Sequence, residues 1–277
     1  MRRCQLTAGL LTLLLASANA QAQSPDASPP TETEASAAPD QAAADAAEVD
    51  DGKWKLSTTA YVWFAGAKGK TDIIGPVDPV DLDLSFGDVI KAFKFAFMGA
   101  AEARKDRLIF LGDLTFIHLE ANHGIGIRDP DFIDVELDSA TAEVSLLGGY
   151  RVAEGPVDLD LLAGGRMNFF KATLDLEGPN RSVEGSNKQK WLDPLIGVRA
   201  RVPLDDKWAL ALYGDLGGIV FGSDVTWQAV AGVDYQISHK MSLGAGWRYF
   251  KVKYDDGDFL YDVAQSGPMI TFRTQFR

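Results

Sequence analysis

From Trp54 to Phe276 the chain repeats one pattern: apolar and polar residues alternate, break at a turn, and alternate again. A period of two places successive side chains on opposite faces of a strand, so each segment carries one greasy face and one polar face. Leu56, Ala60, Val62 and Phe64 oppose Lys55, Ser57, Thr59 and Tyr61. Leu108, Phe110, Leu114 and Phe116 oppose Asp113 and Thr115, and Ile270, Phe272 and Phe276 oppose Thr271, Arg273 and Gln275. Many of these faces run for nine or more residues. That suits a tilted strand crossing a bilayer better than the roughly 5–6 residues of an ordinary soluble strand.

The breaks alternate in kind. Lys105-Asp106, Glu154-Gly155-Pro156, Asp205-Asp206 and Ser238-His239 are tight turns, whereas 66–93, 121–134, 173–190, 221–223 and 255–258 are mostly longer and more polar. The pattern predicts ten strands, at about 54–66, 94–105, 107–120, 135–153, 157–172, 190–203, 207–221, 223–238, 241–254 and 259–276. An even number of strands with short turns at one end and longer loops at the other is the arrangement of an all-β, antiparallel transmembrane barrel, with eight or twelve strands as the neighbouring solutions. Aromatic residues gather near strand ends, as expected of two interfacial girdles. Trp54, Phe110, Tyr150, Trp208, Tyr235 and Phe272 lie near the tight turns; Trp63, Phe64, Phe95, Phe116, Phe169, Trp191, Phe221, Trp247, Tyr249 and Phe259 lie near the loops.

The first 52 residues read differently. Arg2 and Arg3 precede an apolar run, Leu6 to Ala18, too short to span a membrane, and Ala18-Asn19-Ala20 and Ala20-Gln21-Ala22 fit a small-x-small cleavage rule. Residues 1–22 are therefore expected to be a signal peptide. Residues 23–52 carry eight acids, no Lys or Arg and no aromatic residue, the composition of a disordered acidic tether. The barrel is then 53–277. The chain has 27 Lys+Arg against 39 Asp+Glu. Setting aside Arg2, Arg3 and the eight tether acids leaves 25 against 31, a mildly acidic folded part without the basic face of a nucleic-acid binder. The one cysteine, Cys4, lies in the leader, which leaves no disulfide framework and no Cys-ligated zinc. No later stretch approaches the ~18 apolar residues of a membrane helix.

The last segment, Gly267-Pro-Met-Ile-Thr-Phe272-Arg-Thr-Gln-Phe276-Arg, resembles the closing strand of bacterial outer-membrane proteins, with Arg277 where the usual pattern has an aromatic. Lys190-Trp191-Leu-Asp193-Pro194, Gly222-Ser-Asp224-Val-Thr226-Trp227-Gln228 and Arg248-Tyr249 with Tyr254-Asp-Asp-Gly257 and Tyr261-Asp262 resemble a group of proteobacterial outer-membrane β-barrel proteins, similar in general architecture to the small OmpA- and OmpW-like barrels. The resemblance covers nearly all of 53–277. It implies a fold, a Gram-negative outer-membrane location, contact with lipid and lipopolysaccharide, and insertion by the barrel assembly machinery; it carries over no catalytic residue.

With the polar face turned inward, Glu102, Asp113, Glu143, Asp160, Asp193, Asp215 and Asp234 face Arg104, Arg151, Arg166, Arg199, Arg201, Arg248 and Arg273. Charges in a narrow barrel lose water and must pair, and the planar fork of arginine suits carboxylates. Balanced signs predict a lumen zipped by ion pairs and mostly plugged, with a structural or narrow-channel role. A porin-like selective pore would show one sign in excess at a constriction. Three other readings are weighed. A lipid-modifying enzyme or protease would place His118 or His123 at the rim beside a Ser or acid, although parity turns His118 outward; His239 sits in a tight turn. Asp255-Asp256-Gly257-Asp258 lacks the full calcium-loop spacing and reads as a solvated turn. A soluble lipocalin-like carrier is the third. No catalytic residue, metal or cofactor is assigned. The first long loop, with Asp72, Asp78, Asp81, Asp83 and Asp88 among alternating apolar residues, is expected to fold over the mouth or add a short hairpin.

Overall fold

The computed structural model describes residues 52–72, 79–122, 134–177 and 182–276. The expected leader and most of the tether, together with Asp78, His123 and Gly124-Ile-Gly126, lie outside them. Twelve strands and one helix follow in order: β1 (Lys55–Trp63), β2 (Gly66–Thr71), β3 (Val80–Leu84), α1 (Phe86–Ala92), β4 (Phe93–Lys105), β5 (Leu108–Asn122), β6 (Asp134–Ala153), β7 (Asp158–Glu177), β8 (Ser182–Pro203), β9 (Trp208–Gly217), β10 (Val225–Ser238), β11 (Met241–Asp255) and β12 (Leu260–Gln275).

All pairings are antiparallel. Ten strands, β1 and β4 to β12, close on themselves because β12 pairs back with β1, Ser57 opposite Gln275 through Trp63 opposite Met269. The remaining two, β2 and β3, form the short hairpin allowed for by the sequence, added to the edge of β12 at the loop end. There Lys68 reaches Asp83 at 3.0 Å and Lys70 reaches Asp81 at 3.6 Å. Helix α1 follows at once. Ser85 and Asp88 make a reciprocal capping box at its start, and the Ser85 hydroxyl holds the exposed Asp88 carboxyl below its ordinary range.

The expected parity holds where the barrel strands cross the band. Outward residues such as Leu146, Ile196, Leu161 and Ile270 are exposed, and their chain neighbours Leu147, Leu195, Asp160 and Met269 lie within. An apolar outside and a charged inside is the reverse of a soluble carrier, whose greasy surface faces its own cavity.

Wall height differs around the barrel. At about 3.3 Å rise per residue and a tilt near 40°, the ten residues of β9 climb about 25 Å, the height of a lipid-facing band. The twenty residues of β7 climb about twice that. The sequence places a loop at 173–190, but most of that stretch is strand: β7 continues to Glu177 and β8 begins at Ser182. In β8 from 182 to 189 polar residues occupy both faces and the alternation that marks a strand fades, whereas in β7 Leu174 still packs in the buried interior. Conversely β9 stops at Gly217, and Ile219-Val220-Phe221, expected as strand, is a loop whose ends turn at Gly218 (φ 82°) and Gly222 (φ 87°).

Candidate functional site

The site is the lumen. The twelve residues singled out as its charge network, Glu102, Asp113, Glu143, Arg151, Arg166, Asp193, Arg199, Arg201, Asp215, Asp234, Arg248 and Arg273, all sit at inward register positions, but they form two groups rather than one chain of pairs.

The group nearer the turn end centres on two acids. Asp160 receives Arg151 Nε at 2.8 Å and Arg199 Nη2 at 2.8 Å. Glu102 receives Arg199 Nη1 at 2.5 Å and Arg104 Nη2 at 3.2 Å, with Arg273 Nη2 at 3.5 Å. Arg199 thus bridges β4 and β7 across the barrel. Arg151 also holds Asp158 at 2.7 Å, and Arg201 pairs with Asp234 on β10. In this group Arg predominates.

The second group lies higher and is acid-rich: Asp113, Glu143, Asp193 and Asp215 with only Arg166 and Arg248. Arg166 Nη2 donates to Asp215 Oδ2 at 2.8 Å, and its Nε donates to Ser145 at 3.1 Å. Arg248 Nη2 stands 3.6 Å from Glu143. Asp113 and Asp193 have no Arg within ion-pair distance among the described residues; neutral donors serve them. Tyr61 Oη donates to Asp113 at 2.9 Å. Asn168 Nδ2 and the Ser223 amide and hydroxyl donate to Asp193 at 2.8, 2.6 and 3.0 Å. Glu143 Oε2, Asp215 Oδ1 and Arg248 Nε are buried without a hydrogen-bond partner among the described residues. Between the two groups lies a cavity of about 220 Å³, lined by Glu102, Asp113, Arg199, Arg248 and Arg273 among others.

Above the charges the inward face becomes apolar. Tyr61, Trp63, Met98, Phe170, Leu174, Trp191, Phe250, Val252 and Phe259 form one buried cluster. Trp63, Trp191 and Phe259 were expected in the outer girdle, and this corrects that assignment: Trp63 lies two positions from Tyr61 and Trp191 two from Asp193, so parity puts both indoors. The cluster joins opposite walls. Trp191 on β8 stacks on Tyr254 of β11 with ring centres 4.4 Å apart, and Phe170 on β7 meets Tyr261 of β12 at 5.2 Å and Phe259 at 5.4 Å. Arg248 lies over Trp63 at 4.5 Å and Arg166 over Phe250 at 4.9 Å, so each guanidinium has a carboxylate within 4 Å, Glu143 and Asp215 respectively, and an aromatic face against it. Sequence reasoning gave no place to Tyr61, Asn168, Tyr213, Ser223 or Thr226 in the network; parity with the charged residues marks four of them, and nothing marks Ser223, which lies in the β9–β10 loop.

His118 lies on the outward face near the loop end, its Nε2 3.0 Å from Asp138 Oδ2, beside the outward pair Lys94–Glu120. Ser139, next in sequence to Asp138, lines the interior instead. In the 255–258 turn the acids accept amides of the turn itself, Asp256 Oδ1 taking Phe259 N at 2.8 Å. Among the described residues no group of three or more His, Cys, Asp or Glu is arranged to hold a metal ion.

A closed antiparallel barrel of ten strands with an apolar exterior is the architecture of bacterial outer-membrane proteins. One solved structure agrees in fold. The outer membrane protease OmpT from Escherichia coli superposes with a TM-score of 0.54 at 11% identity, covering 82% of this chain and 98% of that one. The translocator domain of the autotransporter NalP from Neisseria meningitidis covers 80% of this chain and 88% of its own at 13% identity, TM-score 0.43. Ail of Yersinia pestis covers 79% and 97% at 12% identity, TM-score 0.32. No family model matches the chain, and no curated protein matches it in sequence. The chain is thus an outer-membrane-type β-barrel.

Proposed function

We propose that the protein is a non-enzymatic outer-membrane barrel whose lumen is plugged at rest, with a structural role in the membrane. The observation that carries this is the pair of seals in series: an ion-pair layer spanning the lumen through Arg199, and an aromatic layer above it joining Phe170 and Trp191 to Tyr254, Phe259 and Tyr261. Water-filled porins use roughly 16–18 strands; ten give a bore that side chains can fill. A narrow channel is the second reading, favoured by the 220 Å³ cavity that Glu102, Asp113, Arg199, Arg248 and Arg273 help to line. It requires the ion pairs to part transiently.

In this reading the turn end faces the periplasm and the long walls face outward. Lipid and lipopolysaccharide meet the apolar band and its rims, and β12 is the segment read by the barrel assembly machinery. No cofactor, metal or nucleic acid has a part. The protease-like alternative is disfavoured because the His118–Asp138 pair faces away from the lumen, with no Ser, Thr or Cys hydrogen-bonded to it among the described residues.

Planar-bilayer recording tests the proposal. The wild-type protein is expected to insert without current steps, and a Phe170→Ala/Trp191→Ala variant to give small ones. Steady steps from the wild type would overturn the plug and sustain the channel.

A further inference from the structure

The loop between β9 and β10 combines three features found together nowhere else among the described residues. It tops a ten-residue strand, one of the two shortest in the barrel, so it stands at the upper edge of the lipid-facing band while β6, β7 and β8 rise well past it. Its tip, Ile219-Val220-Phe221, is apolar and bare, with 69%, 81% and 56% of each residue exposed. Its inner side is gripped by the barrel: the fully buried Asp193 accepts the Ser223 amide and hydroxyl, and Trp191 Nε1 donates to Ser223 Oγ at 2.8 Å.

That grip explains why the apolar residues do not fold inward. Gly218 N also bonds Pro194 O at 3.3 Å, and Gly222, in the left-handed region, lies so close to Leu192 O that a Cβ would collide with it. The loop is therefore laid against β8 with Ile219, Val220 and Phe221 left on the outside. Just beneath, Trp227 stacks on Tyr249 at 4.7 Å on the same outward face, rings of the kind that settle at headgroup depth. Contiguous bare apolar surface marks a membrane or partner contact; here it stands above the outward Trp227–Tyr249 pair, with the exposed ion pair Lys253–Asp224 at 3.2 Å beside it, as befits headgroup depth.

We propose that Ile219–Phe221 is a membrane-inserted loop, held by Asp193 and Trp191 so that it dips into the acyl–headgroup boundary of the leaflet at the loop end. The partner is the lipid surface itself. The barrel mouth then has one low rim where bilayer lipid lies directly against the loop behind which Trp191 closes the lumen. The inference stands whether or not the lumen conducts.

The test uses the full chain with Cys4→Ser as background, Val220→Cys labelled with bimane, and proteoliposomes of brominated phosphatidylcholine. Ile196→Cys, on the outward face of β8, reports lipid, and Asp258→Cys, in the β11–β12 turn, reports water. Heat-modifiable gel mobility confirms folding of each. The label at Val220 is expected to be quenched by brominated lipid as at Ile196 and protected from aqueous iodide. Iodide quenching like that at Asp258, or protection from both quenchers, overturns the proposal; the latter would mean that protein covers the loop. Quenching at Ile196 with none at Val220 separates failure of this inference from failure of the barrel's membrane insertion.

Discussion

Arg166 on β7 and Asp215 on β9 meet across the intervening strand β8, guanidinium to carboxylate at 2.8 Å, with 1% and 0% of their side chains exposed. Neither charge has water to return to. Removing one partner strands the other, which costs about 3–5 kcal/mol for a buried pair. Arg166→Ala is therefore expected to lower the urea midpoint in detergent micelles sharply, and Arg166→Met with Asp215→Leu to recover much of the loss. Equal midpoints for wild type and Arg166→Ala would remove the pair from the account.

The aromatic layer makes a separate prediction. Trp191 stacks on Tyr254 and donates to Ser223, so its removal loosens β8, β11 and the β9–β10 loop together. Trp191→Ala is expected to cost about 3–5 kcal/mol, as large-to-small changes in packed interiors do, and Trp191→Phe markedly less. Thermal shift in micelles reads both. A Trp191→Ala barrel that melts with the wild type would place the ring outside any packed layer.

The β8–β9 mismatch is visible in exchange. β9 pairs with β8 only from Leu195 to Pro203, whereas β7 pairs with it from Ser182 to Arg201. Between 182 and 190 every second amide has a strand on its side and the others do not. Hydrogen exchange read residue by residue is expected to alternate there, slow and fast. Uniform protection would mean that another strand covers this edge.

Outward substitutions should follow depth. Leu212, exposed on the outward face at the middle of β9, is expected to resist charge: Leu212→Lys should cost roughly 2–4 kcal/mol at the bilayer midplane, and a lysine at the His118 level close to nothing. Urea midpoints in lipid vesicles compare them. Equal costs at both levels would contradict the assigned band.

How much was legible in the sequence depends on where a strand lies. Within the band each residue has lipid on one side and lumen on the other, so Leu146 and Ser145 announce opposite faces and the ten barrel strands can be counted. Beyond it, at Ser182–Gln189, both faces are polar and the strand leaves no periodic mark. Ile219-Val220-Phe221 misled in the other direction, since β-branched and aromatic residues in a row read as strand when nothing in the composition reveals that Gly218 and Gly222 turn the chain. Charges were assigned indoors by parity alone. Which acid meets which arginine is a matter of wall height and register, so the division into an Arg-rich and an acid-rich group and the service of Asp193 by Ser223 and Asn168 had no local signal, whereas the inward turn of Trp63 and Trp191 was marked by their parity with Tyr61 and Asp193.

The central claim is that one residue in two faces lipid while its neighbours face a filled interior. Nitroxide scanning of Ser145, Leu146, Leu147, Gly148 and Gly149 in lipid vesicles, with oxygen and a water-soluble nickel chelate as relaxers, tests it most directly. The account predicts a period-two profile, with high oxygen access at Leu146 and Gly148 and low access to either relaxer at Ser145 and Leu147. A flat profile, or strong nickel access at Ser145 and Leu147, would contradict it.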